Sequence, residues 1–287
     1  MGGGVKFHML FLGFGFSAEA LAKVLDPKLW RITGTSRSSE GVKHIESLGY
    51  EGVLFDDLKA IDDSVTHIVS SIPPGPTGDP VLQKFSTELQ RRAEHLNWVA
   101  YLSTTGVYGD HAGAWVDETT PLTPNTERGQ RRVDAEAQWL ALHHHHQLPV
   151  HVFRLAGIYG PGRNALISLK DGTAKRVIRE GQVFSRIHVD DIAGILKASI
   201  AKPHPGRAYN VADDEPCPPQ NVITYAASLL DLEPPPEIPF ENADLSPMAR
   251  SFFMDSKRVH NTRVKQELGY AFCYPDYRVG LQSLLTV

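Results

Sequence analysis

The residues Gly13, Gly15 and Ala18, in the stretch FLGFGFSAEA, give the spacing G-x-G-x-x-A directly after an apolar run. Glycine at the first position permits a sharp turn from a strand into a helix, and glycine at the second lets backbone approach a phosphate. Ala18 is small enough for close helix–strand packing, although glycine is more usual there. The spacing predicts a pyrophosphate-binding turn at a helix N-terminus, and a tight turn without a ligand is the alternative.

A second candidate group follows in the stretch TGTSRSS, where Ser36, Arg37 and Ser38 stand at the end of the next predicted strand. A dinucleotide site that prefers NAD places a carboxylate here for the ribose hydroxyls. An arginine with flanking hydroxyls instead suits the 2′-phosphate of NADP. The sequence therefore favours NADP over NAD, while a solvated loop arginine is the alternative interpretation of Arg37.

Short apolar runs that alternate with helical patterns must position these residues. Phe7 to Leu12 is a compact apolar run, and Ala18, Leu21, Ala22 and Leu25 then recur at helical spacing before Pro27. Further strands are predicted at Leu29 to Thr35 and in EGVLF, THIVSSI, WVAYLST and VHVFRLA, with helices at Glu40 to Leu48, about 81 to 96 and about 131 to 144. This alternation predicts an α/β fold, a doubly wound parallel sheet with helices on both faces.

Composition narrows the function classes. The chain has 287 residues, 41% of them hydrophobic, and a formal net charge of -4, which gives no electrostatic reason to expect nucleic acid or an anionic membrane as a partner. No apolar run approaches the length of a membrane span, and the start MGGGVKFHML lacks the apolar core of a signal peptide, so a cytoplasmic location is expected. Two cysteines provide neither a disulfide framework nor a zinc cluster.

Five later motifs occur in order: YLSTTGVYG, FRLAGIYGPGR, RIHVDDIA, YNVADDEP and LGYAFCYPDY. With the glycine turn, they resemble the extended short-chain dehydrogenase/reductase superfamily, in its NAD-dependent epimerase/dehydratase group, over nearly the whole chain. The resemblance implies a seven-stranded NAD(P)-binding Rossmann domain over 5–165 and 186–212, and a smaller C-terminal α/β substrate-binding domain over 166–185 and 213–287.

The resemblance also assigns cofactor contacts beyond Gly13 and Gly15. These fall on the turn and helix start, on the segment after the third strand for the adenine, and on the segment after the fourth strand: Phe16, Ser17 and Ala18; Asp57 and Leu58; Ser70, Ser71, Ile72 and Pro73.

The family's catalytic pattern is only partly present. Thr104 matches the serine or threonine that holds the substrate oxygen at the end of the fifth strand. In ERGQRRVDAEAQW, alignment on Glu136 places Arg128 at the position of the catalytic tyrosine and Arg132 at that of its lysine. Arg132 could hold the nicotinamide ribose, but a guanidinium at position 128 stays protonated and cannot act as acid or base near neutral pH. The chain is therefore similar to atypical members that lack the Tyr-x-x-x-Lys pair.

Other residues are candidates for the missing proton donor. Tyr108 and Tyr159 both follow predicted strands, and a phenol near Arg132 or Arg163 would have a lowered pKa. The alternative is that both tyrosines pack as loop anchors. His188 has a simpler interpretation, as a semi-buried histidine before a helix capped by Asp190 or Asp191.

Some features argue against particular ligands. Phe184 stands where nucleotide-sugar relatives carry an arginine for the substrate diphosphate, which places a nucleotide-sugar substrate in doubt. His143 to His146 form a histidine run, but consecutive helical residues point in different directions, so we predict a solvated helix end and no metal site.

Two functions remain. The first is an NADP-dependent oxidoreductase or epimerase that acts on a small-molecule carbonyl or hydroxyl substrate through Thr104, Arg132 and Tyr108. The second is a non-catalytic NADP-binding sensor or regulatory module. The resemblance implies a homodimer as the assembly, because relatives dimerise through helices beside the catalytic one.

Overall fold

The computed structural model describes residues 5–285, which cluster into two compact units. The first unit contains the described residues up to Thr104 together with Gln130–Arg154 and Ile192–Tyr209. The second contains Thr105–Gly129, Leu155–Asp191 and the described residues from Asn210 onwards.

The predicted domain ranges divide the chain differently, because they assign to the dinucleotide-binding domain four segments that fall in the second unit: 105–129, 155–165, 186–191 and 210–212. Residues 286–287, at the end of the predicted substrate-binding domain, lie outside the described part of the chain. The first four residues of the start MGGGVKFHML, for which no signal peptide is predicted, lie outside it as well.

The described residues contain thirteen strands and ten α-helices. The strands are β1 (Phe7–Leu12), β2 (Trp30–Ser36), β3 (Glu51–Leu54), β4 (His67–Ser70), β5 (Trp98–Thr104), β6 (Trp115–Val116), β7 (Val150–Leu155), β8 (Gly157–Tyr159), β9 (Arg176–Ile178), β10 (Arg186–His188), β11 (Ala208–Val211), β12 (Glu237–Pro239) and β13 (Arg258–Val259). The helices are α1 (Phe16–Val24), α2 (Ser39–Ser47), α3 (Pro80–Arg91), α4 (Glu127–His146), α5 (Ala165–Lys170), α6 (Val189–Ala201), α7 (Pro219–Leu229), α8 (Pro247–Phe252), α9 (Thr262–Leu268) and α10 (Tyr277–Ser283).

Seven strands form the main sheet in the order β11-β7-β5-β4-β1-β2-β3. The neighbours β1–β2, β1–β4, β2–β3 and β4–β5 are parallel, with Phe7 opposite Trp30 and Met9 opposite His67. The chain leaves β1 for β2 on one side and later returns to β4 on the other, so the order reverses at β1. In an open parallel sheet, ligands bind beyond the carboxyl ends of the strands at such a reversal. The predicted doubly wound α/β sheet is confirmed.

The first unit's core holds α3 and α4 against the sheet. It includes Leu10, Ile68, Val99 and the rings of Tyr101 and Trp139, which stack with centroids 5.9 Å apart. Two polar contacts fix α4 further, because Glu136 Oε2 accepts a hydrogen bond from Arg154 Nη2 at 2.8 Å and Trp139 Nε1 donates to Asp79 Oδ2 at 3.0 Å. The helix that carries Arg132 is therefore rigidly placed within its unit.

The second unit contains three two-stranded parallel sheets, β10–β8, β12–β9 and β13–β6. One of its apolar clusters joins α5, α7 and α10 through Leu166, Ala226 and Leu281. A separate cluster brings Val177 of β9 together with Ala243 and Phe253.

Most predicted elements lie within one or two residues of the observed ones, and β1 coincides with its predicted range. The helix predicted at about 131 to 144 is too short, since α4 begins at Glu127 and ends at His146. The predicted helix over 81 to 96 is too long, since α3 ends at Arg91 and a 3-10 turn follows at Ala93–His95. Arg92 departs from helical geometry, and its guanidinium donates to the carbonyls of Ile61 and Val65 and to Asp63 Oδ1. Those side-chain bonds are non-local, which is why the helical pattern does not show the break.

Within residues 5–285, no helix combines the length and the apolar character needed to cross a membrane.

Candidate functional site

The turn between β1 and α1 requires glycine at position 13. Gly13 has φ +92°, in the left-handed region that side chains rarely adopt, and a Cβ there would lie 2.7 Å from Ser71 Oγ. Its N–H donates to Thr35 Oγ1 at 2.9 Å, and its carbonyl accepts from Ser71 Oγ at 2.7 Å. The turn is therefore tied on both sides, to β2 and to the segment after β4.

Gly15 differs from Gly13 in what surrounds it. Its φ of -107° and ψ of -165° are accessible to any residue, and a Cβ there would meet no atom within 4 Å. Gly15 occupies the N-cap position of α1, and no side chain caps the helix there. Free N–H groups at the start of a helix face open space and form an anion site.

The segment after β4 packs directly against this turn. Ser71 N–H donates to Leu12 O at 3.0 Å, and a Cβ on Gly13 would lie 3.0 Å from Ile72 Cγ1. Ser70 is buried, and its Oγ has no hydrogen-bond partner among residues 5–285, whereas Pro73 is exposed. The structure thus brings Ser71 and Ile72 to the Gly13 turn.

The carboxyl end of β2 presents Arg37 to solvent. Ser38 caps α2 by accepting a hydrogen bond from Gly41 N–H at 3.2 Å, and Ser36 Oγ accepts from Ser38 N–H at 3.3 Å. Arg37 is exposed and makes no ion pair or side-chain hydrogen bond with any other residue that the structure describes. An unpaired guanidinium therefore stands beside the capped N-terminus of α2.

The segment after β3 turns back on itself. The N–H groups of Asp57 and Leu58 both donate to Leu54 O, at 3.0 and 3.1 Å. Lys84 of α3 donates through Nζ to the carbonyls of Phe55 and Asp56, at 2.6 and 3.0 Å. Asp56 and Asp57 are exposed and Leu58 packs against the core of the unit, so the segment is a fixed turn with two exposed carboxylates.

At the end of β5, Thr104 is half-buried, and Arg132 of α4 lies against the same strand. Arg132 Nη1 donates to Leu102 O at 2.9 Å and to Tyr101 Oη at 3.0 Å. Burial raises the pKa of Tyr101, although the Arg132 guanidinium opposes this, so the phenol stays neutral. One amino group of Arg132 is therefore already hydrogen-bonded to β5.

Tyr108 ends the 3-10 turn Thr105–Tyr108 that follows β5, and its side chain is fully buried. Its hydroxyl donates to the Oδ1 of buried Asn210 at 2.7 Å. Asn210 N–H in turn donates to Glu118 Oε1 at 2.8 Å. This geometry favours the alternative in which Tyr108 anchors its loop.

Tyr159 is also buried, and its ring meets His188 edge-on with centroids 5.1 Å apart. Burial raises the pKa of Tyr159, and Asp213 and Asp191 raise it further. The lowered pKa expected for a phenol near an arginine is therefore wrong for this residue, because burial and neighbouring carboxylates dominate.

His188 itself precedes α6, which begins at Val189. The expected cap by Asp190 or Asp191 is wrong, because both residues lie in the first turn and Asp190 N–H donates to His188 Nδ1 at 3.2 Å. Asp191 instead accepts hydrogen bonds from Tyr270 Oη and from the N–H groups of Cys273 and Tyr274.

Arg128 lies at the start of α4, and its guanidinium carbon is 4.9 Å from the ring centroid of Phe252. Phe184, by contrast, is part of an apolar cluster, with its ring centroid 5.3 Å from that of Phe253. His143 to His146 end α4, and the structure shows no cluster of metal-ligating side chains within residues 5–285.

Several structural partners were not identified from the sequence. Phe14 fills the space above Gly34 of β2, where a Cβ would lie 2.6 Å from its ring, and Thr35 holds the Gly13 N–H. A glycine inside a buried strand was the available signal for Phe14. Nothing local signals the pairing of Tyr101 with Arg132 or of Tyr108 with Asn210, because both contacts are long-range.

Comparisons with known proteins agree on the family. Residues 87–212 match the model of the NAD dependent epimerase/dehydratase family, a range that begins after the Gly13–Gly15 turn. Protein YeeZ of Escherichia coli (strain K12) is 30% identical over 288 residues, covering 92% of this chain and 95% of that protein.

Two solved structures are similar over almost the whole chain. One, described as a functionally unknown conserved protein from Silicibacter pomeroyi, is 53% identical with a TM-score of 0.94, covering 98% of this chain and 99% of that chain. Another, dTDP-glucose 4,6-dehydratase of Bacillus anthracis in complex with NAD, is 19% identical with a TM-score of 0.75, covering 98% and 96%. The second likeness concerns the fold alone.

Proposed function

The chain belongs to the NAD-dependent epimerase/dehydratase family, and from this premise we propose that its first unit binds NADP in preference to NAD. The observation that carries cofactor binding is the contrast at the β1–α1 turn, where Gly13 is locked by its neighbours and Gly15 faces open space. The preference for NADP is supported by Arg37, which is exposed and pairs with no other residue that the structure describes. The residues fit the group, because an uncapped helix N-terminus next to a residue without a side chain suits a pyrophosphate.

Other residues would hold the rest of the cofactor. We assign Phe16, Ser17 and Ala18 to the pyrophosphate, with Ser17 and Ala18 buried at the start of α1. Asp57 and Leu58 would contact the adenine, and Ser70 to Pro73 would lie beside the Gly13 turn. Ser36 and Arg37 would bind the 2′-phosphate, since Arg37 is a planar, bidentate donor that pairs with no other residue in the described range 5–285.

We further propose an oxidoreductase or epimerase reaction on a small carbonyl or hydroxyl substrate. A bound nicotinamide would supply reversible hydride transfer, and we propose that solvent water exchanges the accompanying proton. Thr104 would donate a hydrogen bond to the substrate oxygen, and the amino group of Arg132 that Tyr101 does not use would hold the ribose. Tyr108 was the candidate proton donor, but its buried hydroxyl already donates to Asn210, so we propose an anchoring role for it.

A non-catalytic NADP-binding sensor is the second candidate function. The observation that favours it is the state of the phenols: Tyr108 is buried and hydrogen-bonded, and burial raises the pKa of Tyr159. Following NADPH absorbance with a panel of aldehydes, ketones and hydroxy acids separates the two. Turnover that falls in Thr104→Val supports the enzyme, and NADPH binding without any turnover supports the sensor.

The cofactor assignment is tested by calorimetric titration of NADPH and NADH into the wild type and Arg37→Ala. Losing a charged phosphate contact costs about 1.5–3 kcal/mol, so NADPH affinity should fall roughly tenfold to a hundredfold while NADH affinity stays unchanged. Arg91→Ala is the matched control, an exposed arginine at the end of α3. Equal affinity of the wild type for both cofactors refutes the preference for NADP, and no heat with either refutes cofactor binding.

A further inference from the structure

The Arg128 side chain is held in place without being neutralised. Within residues 5–285 it forms no ion pair and no side-chain hydrogen bond, and its observed contact is with the face of Phe252. A guanidinium that lies over the face of an aromatic ring can direct its N–H groups outward in the guanidinium plane, where they can donate to a planar anion.

The backbone around Arg128 is closely packed. A Cβ on the next residue, Gly129, would lie 2.7 Å from Pro124 Cβ and 3.2 Å from Gly106 O. Gly106 belongs to the 3-10 turn that directly follows β5, at the carboxyl end of a strand of the main sheet. Arg128 therefore lies beside the turn that directly follows β5.

The partner ring is positioned by the chain that follows it. Ser256 N–H donates to Asp110 Oδ1 at 2.8 Å, and Lys257 Nζ donates to Gly109 O at 2.8 Å. These bonds attach the segment after α8 to the loop after β5, within the same unit. Phe252 ends α8, a few residues before this attached segment. The attachment therefore also holds the Phe252 ring close to Arg128.

An apolar surface adjoins the cation. Met248 and Phe252 lie one turn apart on the same face of α8, and they are 62% and 51% exposed. Met254, just beyond the helix, is 50% exposed. Phe252, which contacts the guanidinium, and Met248 on the same helix face form a surface for a ligand that is anionic at one end and apolar at the other.

We propose that Arg128 is a substrate-binding residue and that the substrate of this protein is an organic carboxylate with an apolar body; this rests on the proposed function. The guanidinium binds the carboxylate through two parallel N–H bonds, and Phe252 with Met248 contacts the apolar part. The single positive charge matches a carboxylate, whereas a phosphate monoester carries about -1.5 to -2 near neutral pH. Lys257 adds no free charge, because its Nζ lies 3.2 Å from Asp255 Oδ2.

The test uses the full chain and a matched pair of probes, benzoate and its neutral isostere benzamide, titrated by calorimetry and ligand-observed NMR with NADPH present. We expect the wild type to bind benzoate at least tenfold more tightly than benzamide, which corresponds to about 1.4 kcal/mol. Arg128→Gln should remove this preference and leave NADPH affinity unchanged. Phe252→Ala should weaken benzoate more than acetate, and Arg91→Gln should change nothing.

Three results overturn the inference: equal affinity for benzoate and benzamide, a preference for benzoate that survives in Arg128→Gln, or no benzoate binding at millimolar concentration. Tighter binding of phenyl phosphate than of benzoate overturns the choice of a carboxylate. Absence of NADPH binding refutes the proposed function instead, and benzoate binding measured without NADPH then still decides the role of Arg128.

Discussion

Replacing Gly15 by alanine is expected to weaken cofactor binding at least tenfold while leaving the fold intact. The backbone angles of Gly15 suit alanine, and the new methyl group would meet no atom of the protein within 4 Å. It would instead occupy the space in front of the uncapped N-terminus of α1. If a pyrophosphate binds there through backbone N–H groups, the methyl group blocks its approach.

The expected change in stability is small because two effects oppose each other. Substituting glycine by alanine at a compatible position reduces the entropy of the unfolded chain and stabilises by about 0.4–1 kcal/mol. Alanine is a poorer N-cap than glycine by roughly 0.5 kcal/mol. The net effect is near zero, so the melting temperature should change by less than about 2 °C.

The expected change in affinity is large. Displacing the phosphate from its N–H donors should weaken NADPH binding at least tenfold, which corresponds to about 1.4 kcal/mol. NADH should lose affinity by the same factor, because both cofactors share the pyrophosphate. This equal loss distinguishes Gly15→Ala from Arg37→Ala, which acts on NADPH alone.

Gly13→Ala is the matched control with the opposite stability profile. Its φ of +92° places alanine in the left-handed region, which costs about 1–2 kcal/mol, and the Cβ would also press on Ser71 Oγ at 2.7 Å. Its melting temperature should fall by about 2–8 °C.

Calorimetry and thermal melts on both variants decide the matter. The reasoning is wrong if Gly15→Ala binds NADPH as tightly as the wild type, since the open space in front of α1 would then not be the phosphate site. A melting temperature lowered as far as in Gly13→Ala would instead show that the methyl group meets protein atoms.

Two further predictions concern the second unit. Tyr108→Phe removes the hydroxyl that donates to buried Asn210 and should destabilise the protein by about 1–3 kcal/mol in chemical denaturation, while any NADPH turnover persists; loss of turnover at unchanged stability would restore Tyr108 as the proton donor. Burial raises the pKa of the Asp213 carboxyl to about 8, although Arg186 opposes this, so the folded state binds the extra proton and stability should fall as pH rises from about 4 to about 8. Asp213→Asn should flatten that decline between pH 5 and pH 8, and an unchanged slope would contradict the assignment.

Much of the fold could be predicted because its signals are local. The apolar run of β1, the glycine turn and the helical spacing after it are all contained within about twenty residues, and the structure places them within a residue or two of expectation. The break after α3 could not be predicted, since it depends on Arg92 reaching carbonyls of Ile61 and Val65, about thirty residues earlier in the chain.

The same distinction between local signals and long-range contacts applies to the candidate site. The β1–α1 turn acts through its backbone, so glycine identity alone predicts the tight geometry at Gly13 and the open approach at Gly15. The roles of the side chains near the end of β5 depend on residues that are distant in sequence, so the sequence alone does not predict them. Arg132 was predicted to hold a ribose, yet one of its amino groups donates to Tyr101 and Leu102.

The environment of each phenol then limits the chemistry that the chain can perform. Burial raises the pKa of Tyr101 and of Tyr159, and the Tyr108 hydroxyl already donates to Asn210, so none of the three is poised to exchange a proton near neutral pH. Arg128 stands where the resemblance places the catalytic tyrosine, and a guanidinium can offer charge and hydrogen bonds but no proton transfer. What Arg128 can supply is therefore the recognition and orientation of an anionic ligand. A carboxylate that binds to Arg128 would identify the ligand class before any reaction is known.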